Sequence, residues 1–362
     1  MPLTDYRTLG ASGLRVSPLC LGAMTFGEQW GFGADDAGSV RQLDLYAERG
    51  GNFIDAANIY TKGHSERILG EWFAAGGESR RDRTVIATKF GGSMHRGDPN
   101  AGGSGRVAIM RAVEASLRRL QTDRIDLYWV HFWDRFTPIE ELMRSLDLLV
   151  AQGKVRYVGF SDHPAWICAQ AQSIATFRGW APLAAIQIEW SLLQRTVEHE
   201  LVPMAQHLGM GVCPWGPLRG GVLTGKFTRE GRQTDAPTRV RDDSKFLVER
   251  TYVLLDAMKA IAAEIGCTVP QVAIAWLAAQ PGCTSPIIGA RTEAQLLDVL
   301  GAIEVRLSAQ HLATLDDLSR PPEHFPQTFL ELAKTTMLNG STVNGVAGPL
   351  WELSPASDAE RA

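Results

Sequence analysis

The sequence predicts a parallel (β/α)8 barrel, the TIM-barrel architecture. Three observations lead there. Eight short apolar runs, many rich in β-branched residues, recur along the chain. Helical patterns, with apolar residues three and four apart and often a Gly at the end, separate most of them. The first run, in "CLGAMTFGEQWGFG", lacks the G-x-G-x-x-G turn and helix that usually open a doubly wound sheet. Strands alternating with helices imply a parallel sheet, and eight is the number that closes on itself.

Taken in order, "YRTLGASGLRVSPL" holds two short alternating stretches around Gly10 to Gly13. They predict a hairpin that plugs the N-terminal mouth. Strand one is "PLCLGAM", followed by the helix "GSVRQLDLYAERG"; strands two and three are "NFIDAA" and "TVIATKF". A loop, "SMHRGDPNAGGSGR", precedes the helix "VAIMRAVEASLRRLQ" and strand four, "DLYWVHF". The helix "IEELMRSLDLLVAQGK" leads to strand five, "VRYVGFS"; strand six is "AAIQIEW". After the helix "HELVPMAQHLG" come strand seven, "MGVCPWG", a long loop over residues 218–245, and strand eight, "SPIIGA". Long loops in a compact domain tend to be lids or binding loops. Residues 1–330 are assigned to one barrel domain and 331–362 to a C-terminal extension, partly disordered, above all in its last ten or so residues.

Composition narrows the function classes. A chain of 362 residues can bury a large core without disulfides or metals. A formal charge of −4 gives no reason to expect nucleic acid or an anionic membrane as partner. The five cysteines are scattered, with no CxxC pair, so they read as reduced thiols in a cytoplasmic protein. "MPLTDYRTLG" does not read as a signal peptide, and no apolar run approaches a membrane span. The chain is expected to act on small molecules as a monomer or homo-oligomer.

In a barrel, residues at the C-terminal ends of the strands face one mouth, where such enzymes keep their sites. That rim reads Asp55 and Tyr60, Lys89, His131, Ser161 with Asp162, Gln187 with Glu189, Trp215, and Gly289 with Arg291. A carboxylate ending the apolar run Phe53-Ile54 is costly to bury unless something pairs with it. Alone, Asp55 is either a cap or half of a site; Lys89, one strand along, supplies the partner. A phenol with a pKa near 10 is a poor donor at neutral pH. An adjacent ammonium stabilises the phenolate and is expected to lower that value, while a carboxylate keeps the ammonium charged and oriented. An imidazole can fix the direction of a carbonyl oxygen. Together these groups suit protonation of a carbonyl oxygen as hydride arrives at carbon. The adjacent aromatics Phe132 and Trp133 suggest an apolar or ring-bearing substrate.

The order of these stretches resembles the aldo-keto reductase superfamily. "NFIDAANIYTKGHSE" is similar to its strand-two signature, "IATKF" to its lysine strand and "DLYWVHFWD" to its histidine strand. "VGFSD", "IQIEWSLL", "CPWGPLRGGVLTGKF" and "PIIGARTEAQL" resemble its successive cofactor-binding stretches. The resemblance covers Tyr6 to about Leu318 and implies NAD(P)H-dependent reduction of an aldehyde or ketone, reversibly. It makes Tyr60 the general acid, Lys89 and Asp55 its tuning pair and His131 the residue that orients the carbonyl. It implies NADP(H) as cofactor, with NAD(H) the lesser alternative. Gly22, Ala23 and Met24 would meet the cofactor through backbone, beside Asp55. Ser161, Asp162 and Gln187 would hold the carboxamide, and Trp215 would stack on the nicotinamide. Gly216, Pro217, Leu218, Gly220 and Lys226 would line the pyrophosphate, with Gly289, Arg291 and Gln295 around the adenosine phosphate. A cofactor-binding regulatory subunit of the same fold, with little turnover, is the alternative.

Four positions depart from the family's pattern. Asp162 stands where Asn is usual, so it accepts but cannot donate. Gly216 replaces a common Ser, Val299 falls where an adenine-contacting Asn is frequent, and strand eight is followed by no Lys-Ser pair. Three motif matches fail. "GGVLTGKF" has Phe227 where a phosphate loop needs Ser or Thr. "GFSDH" has His163 where a nucleophile elbow prefers Gly. "HELVP" has Pro203 at the second His position of a zinc motif, so no metal is expected.

Overall fold

The computed structural model describes residues 2–233, 239–240 and 243–361. Part of the predicted loop 218–245, at 234–238 and 241–242, lies outside them. Residues 2–319 form one compact unit and residues 320–361 a second.

The eight predicted strands are present and parallel: β1 Cys20–Gly22, β2 Phe53–Asp55, β3 Val85–Phe90, β4 Ile125–Val130, β5 Val155–Ser161, β6 Leu183–Glu189, β7 Gly211–Trp215 and β8 Ile287–Ile288. They pair in the order β8-β1-β2-β3-β4-β5-β6-β7. The ring is nearly closed between β7 and β8 by a bridge from Val212 to Cys283 and by the Thr284 amide donating to the Val212 carbonyl at 2.8 Å. Helices separate the strands, as the apolar spacing predicted: Asp36–Glu48, Arg106–Leu120, Ile139–Ala151 and Leu201–His207 match the quoted patterns.

Strand side chains alternate, so every second residue points into the barrel. Cys20, Phe53, Ala87, Leu127, Trp129, Ala185 and Cys213 fill the interior as one apolar cluster. Leu9 and Val16, from a hairpin pairing Arg7–Thr8 with Arg15–Val16, complete that cluster from below. The expected plug is therefore in place. Gly159 is needed opposite Trp129, because a Cβ there would lie 2.4 Å from the indole ring. The outward residues, among them Ile54, Ile86, Tyr128, Val130, Phe160 and Ile186, pack under the helices in a second cluster.

On three of the strands a polar residue stands two beyond an interior apolar one: Phe53 then Asp55, Ala87 then Lys89, Ala185 then Gln187. The same alternation thus builds an apolar floor and a polar layer above it. Adjacent strands run in register there: Gly22 opposite Asp55, Lys89 opposite Trp129, Ser161 opposite Gln187.

The loop after β7 carries a 3-10 turn, Arg219–Thr224, and a small hairpin, Phe227–Thr228 with Gly231–Arg232. The second unit contains helix Gln327–Leu338 and the hairpin Thr342–Val343 with Val346–Ala347. Among the described residues, no single helix is long and apolar enough to cross a membrane.

Candidate active site

The polar layer forms a continuous hydrogen-bonded chain. Lys89 Nζ donates to Asp55 Oδ2 at 2.5 Å, to the Ala56 carbonyl at 2.8 Å and to the Tyr60 hydroxyl at 2.9 Å. Gln187 Nε2 donates to the other Asp55 oxygen at 2.9 Å. Both ions of the Lys89–Asp55 pair are buried, which is tolerable because hydrogen bonds satisfy them as well as each other. Burial alone would strip the proton from Lys89, but the Asp55 carboxylate and Tyr60 reverse that and hold its pKa above the ordinary value. The lysine stays an ammonium.

Tyr60 departs from expectation. Burial raises its pKa above 10, and the Lys89 ammonium offsets only part of that rise. The phenol keeps its proton, and Lys89 is what limits the cost of giving it up. His131 stands edge-on to Tyr60, ring centroids 6.0 Å apart. Burial, then Lys89, pushes its pKa down to about 3, so at neutral pH it is an uncharged imidazole. Its Nδ1 is buried without a partner, which leaves Nε2 as the nitrogen toward the cavity.

That cavity is about 1,020 Å3. Asp55, Tyr60, His131, Ser161, Asp162, Gln187 and Trp215 line it at one end. Gly216, Pro217, Leu218, Gly220, Lys226, Gly289, Arg291 and Gln295 line it further along, with Gly22 and Met24. Two predicted residues do not reach the wall. Lys89 lies beneath it, hydrogen-bonded to Tyr60. Ala23 is wholly buried and its carbonyl already accepts from Ser65 Oγ at 2.7 Å.

Several wall residues escaped sequence reasoning. Trp30 meets the Tyr60 ring edge-on, centroids 6.0 Å apart, and Phe32 lies beside Trp30. Arg219 forms an ion pair with Glu189 across the cavity edge, and its guanidinium lies 4.0 Å over the Phe246 ring. Arg239 reaches the wall and donates to Met24 Sδ at 3.7 Å. Conversely, Phe132 and Trp133 line a neighbouring cavity of about 550 Å3, and the aromatic surface beside Tyr60 comes instead from Trp30 and Phe32. No spacing rule locates them, because they stand on loops that leave strands one and seven.

The far end of the cavity gathers three cations, Lys226, Arg239 and Arg291, with Asp243 and Asp298 also on its wall. Burial, then Arg291, Arg232 and Arg239, lowers the pKa of Lys226. Such convergence of positive charge suits phosphates. Gly221, at φ +101°, lets the chain pass close to Lys226: a Cβ there would lie 2.7 Å from its Nζ. Just past Arg291, Thr292 caps the helix Glu293–Leu300, whose first-turn amides add to the positive field. A cavity with a proton donor at one end and phosphate-matching charge at the other fits a phosphate-bearing dinucleotide.

Fold and site together define an oxidoreductase of the parallel-barrel kind. Residues 18–320 match the Aldo/keto reductase family, and the chain belongs to it. It is 39% identical to an uncharacterized oxidoreductase of Bacillus subtilis over 327 residues, 88% of this chain and 97% of that one. It is 36% identical to norsolorinic acid reductase of Aspergillus flavus over 360 residues, 96% and 89% of the two chains. It is also 36% identical to a protein of Phanerodontia chrysosporium named as an NADP(+) aryl-alcohol dehydrogenase, over 330 residues, 87% and 85%.

Proposed function

We propose that this protein interconverts aryl aldehydes or ketones and their alcohols using NADP(H), with Tyr60 as the general acid of the reductive direction. The observation that carries this reading is the buried chain Gln187–Asp55–Lys89–Tyr60, ending in a hydroxyl on the cavity wall. When bound, the cofactor would supply hydride to the carbonyl carbon. The protein does the rest. Tyr60 gives its proton to the carbonyl oxygen, and the phenolate left behind faces an ammonium 2.9 Å away, held charged by Asp55. His131, neutral at pH 7, cannot be that acid; as its Nε2–H tautomer it donates a hydrogen bond to the oxygen and fixes its direction.

The aryl preference rests on Trp30 and Phe32 beside Tyr60 and on the name of the Phanerodontia chrysosporium relative. Lys226, Arg239 and Arg291 are the cations that would meet the phosphates, and Arg291 the one that would favour NADP(H) over NAD(H). Five free cysteines suit a reducing, cytoplasmic setting. The test is a panel of aryl and alkyl aldehydes, ketones and alcohols followed by nicotinamide absorbance with both cofactors. Turnover should be highest with aryl substrates and NADPH. Absence of turnover with every carbonyl would overturn the reading.

A further inference from the structure

Asp162 places a carboxylate on the cavity wall near the proton-donating end. Its surroundings are built. The residue sits at φ +54°, a left-handed conformation in which a non-glycine residue needs support. Its side chain is held on both oxygens, by Trp215 Nε1 at 3.0 Å and by Ser161 Oγ at 3.2 Å. Burial raises its pKa above the ordinary carboxylate value, and the two donors and the Lys89 ammonium, which favour the ionised form, offset only part of that rise. It lines the cavity with Tyr60 and lies within electrostatic reach of that phenol.

This has a consequence for any hydride donor. A ring that delivers hydride to a carbon whose oxygen faces Tyr60 must lie against the same stretch of wall. As hydride leaves, the nicotinamide ring passes from neutral to singly positive, the electron pair goes to the carbonyl carbon, and the Tyr60 proton goes to the oxygen. We propose that the Asp162 carboxylate stabilises the positive charge that develops on the ring, so that the protein binds the oxidised cofactor selectively over the reduced one. Asp162 is thereby a catalytic residue of electrostatic kind, in addition to any part it takes in holding the ring. The proposal rests on the nicotinamide reading above.

At an effective dielectric near 20, an opposite charge on the same stretch of wall favours the oxidised form by on the order of tenfold or more. A tenfold change in the ratio of affinities moves the bound two-electron couple by about 30 mV. The test is calorimetric titration of NADP+ and NADPH into the full-length protein, its Asp162→Asn variant and its Asp162→Glu variant. In Asp162→Asn the affinity for NADP+ should fall about tenfold relative to that for NADPH, and Asp162→Glu should restore most of the ratio. A role limited to holding Trp215 would weaken both forms alike, and an unchanged ratio with binding intact overturns the charge assignment alone. Failure of the wild-type protein to bind either nucleotide overturns the nicotinamide reading and this inference with it. Should Asp162→Asn not fold, the ratio in Asp162→Glu still decides: loss of the wild-type preference for NADP+ in a folded, charge-bearing variant overturns the proposal.

Discussion

The two ends of the barrel interior are made by the same strands and the same alternation, yet they do opposite things. At the N-terminal end Leu9, Val16, Phe53, Leu127 and Trp129 form a dry apolar floor. Two residues higher, Asp55, Lys89 and Gln187 form a buried polar chain that opens on the cavity through Tyr60. Burial stabilises the floor directly, since each apolar side chain leaves water. In the upper layer burial is a cost that hydrogen bonds and ion pairing only offset. What it gains is a fixed proton, a fixed charge and a low dielectric. Height along a strand therefore separates stability from chemistry, and substitutions at the two ends should separate the same way.

The substitution expected to cross that boundary most strongly is Lys89→Met. It leaves the Asp55 carboxylate buried with Gln187 as its remaining side-chain partner, which should cost about 3–5 kcal/mol of stability. It also removes the charge facing the Tyr60 phenolate, so turnover should collapse and any residual pH–rate profile should shift upward. Urea unfolding and a pH–rate series check both. Leu9→Ala should show the floor alone, losing about 2–5 kcal/mol while the cofactor dissociation constant of the remaining folded protein stays unchanged. Arg291→Ala should do the reverse. Loss of one guanidinium–phosphate contact is worth about 1.5–3 kcal/mol, so the preference for NADPH over NADH should shrink roughly tenfold to a hundredfold with unfolding unaltered. The remaining preference should weaken as salt rises. Gly159→Ala, which drives a methyl into the Trp129 ring, should cost about 1–3 kcal/mol, again visible in unfolding.

A smaller effect concerns pH. His131 and His163 are pushed by burial down to about 3 and about 4, while the unfolded chain titrates near 6.5. Below 6.5 the unfolded chain therefore takes up protons that the folded one refuses. The stability these neutral imidazoles carry is complete above pH 6.5 and is lost as pH falls toward 4. His163→Gln should flatten the fall of unfolding free energy between pH 6.5 and 4, measured against the wild-type curve.

Much of this arrangement was legible in the sequence, and the reason is periodicity. Strand runs such as "TVIATKF" and "DLYWVHF" mark their own ends, so Lys89 and His131 were placed on the C-terminal rim by where each run stops. The plugging hairpin was legible for the same reason. Ala23 could not be placed, because the chain turns into a 3-10 segment, Ala23–Thr25, right after β1, and the alternation ends there. Trp30, Phe32, Arg219 and Arg239 stand on loops whose path is set by packing across the molecule. The direction of the Tyr60 shift was misjudged because spacing reveals the neighbouring ammonium but not the depth of burial that outweighs it.

The most direct test of the separation between floor and site is Tyr60→Phe, followed by rate, cofactor affinity and unfolding in one preparation. Only the phenolic oxygen and its proton are removed. A positioned general acid contributes on the order of 10²–10⁴ in rate, so carbonyl reduction should fall by that factor while NADPH affinity holds and the unfolding free energy falls by only about 1–3 kcal/mol, as one donor of the buried Lys89 ammonium loses its acceptor. Near-normal turnover across several aldehydes would contradict the account, because the chain from Gln187 to Tyr60 would then end in a group the chemistry does not use.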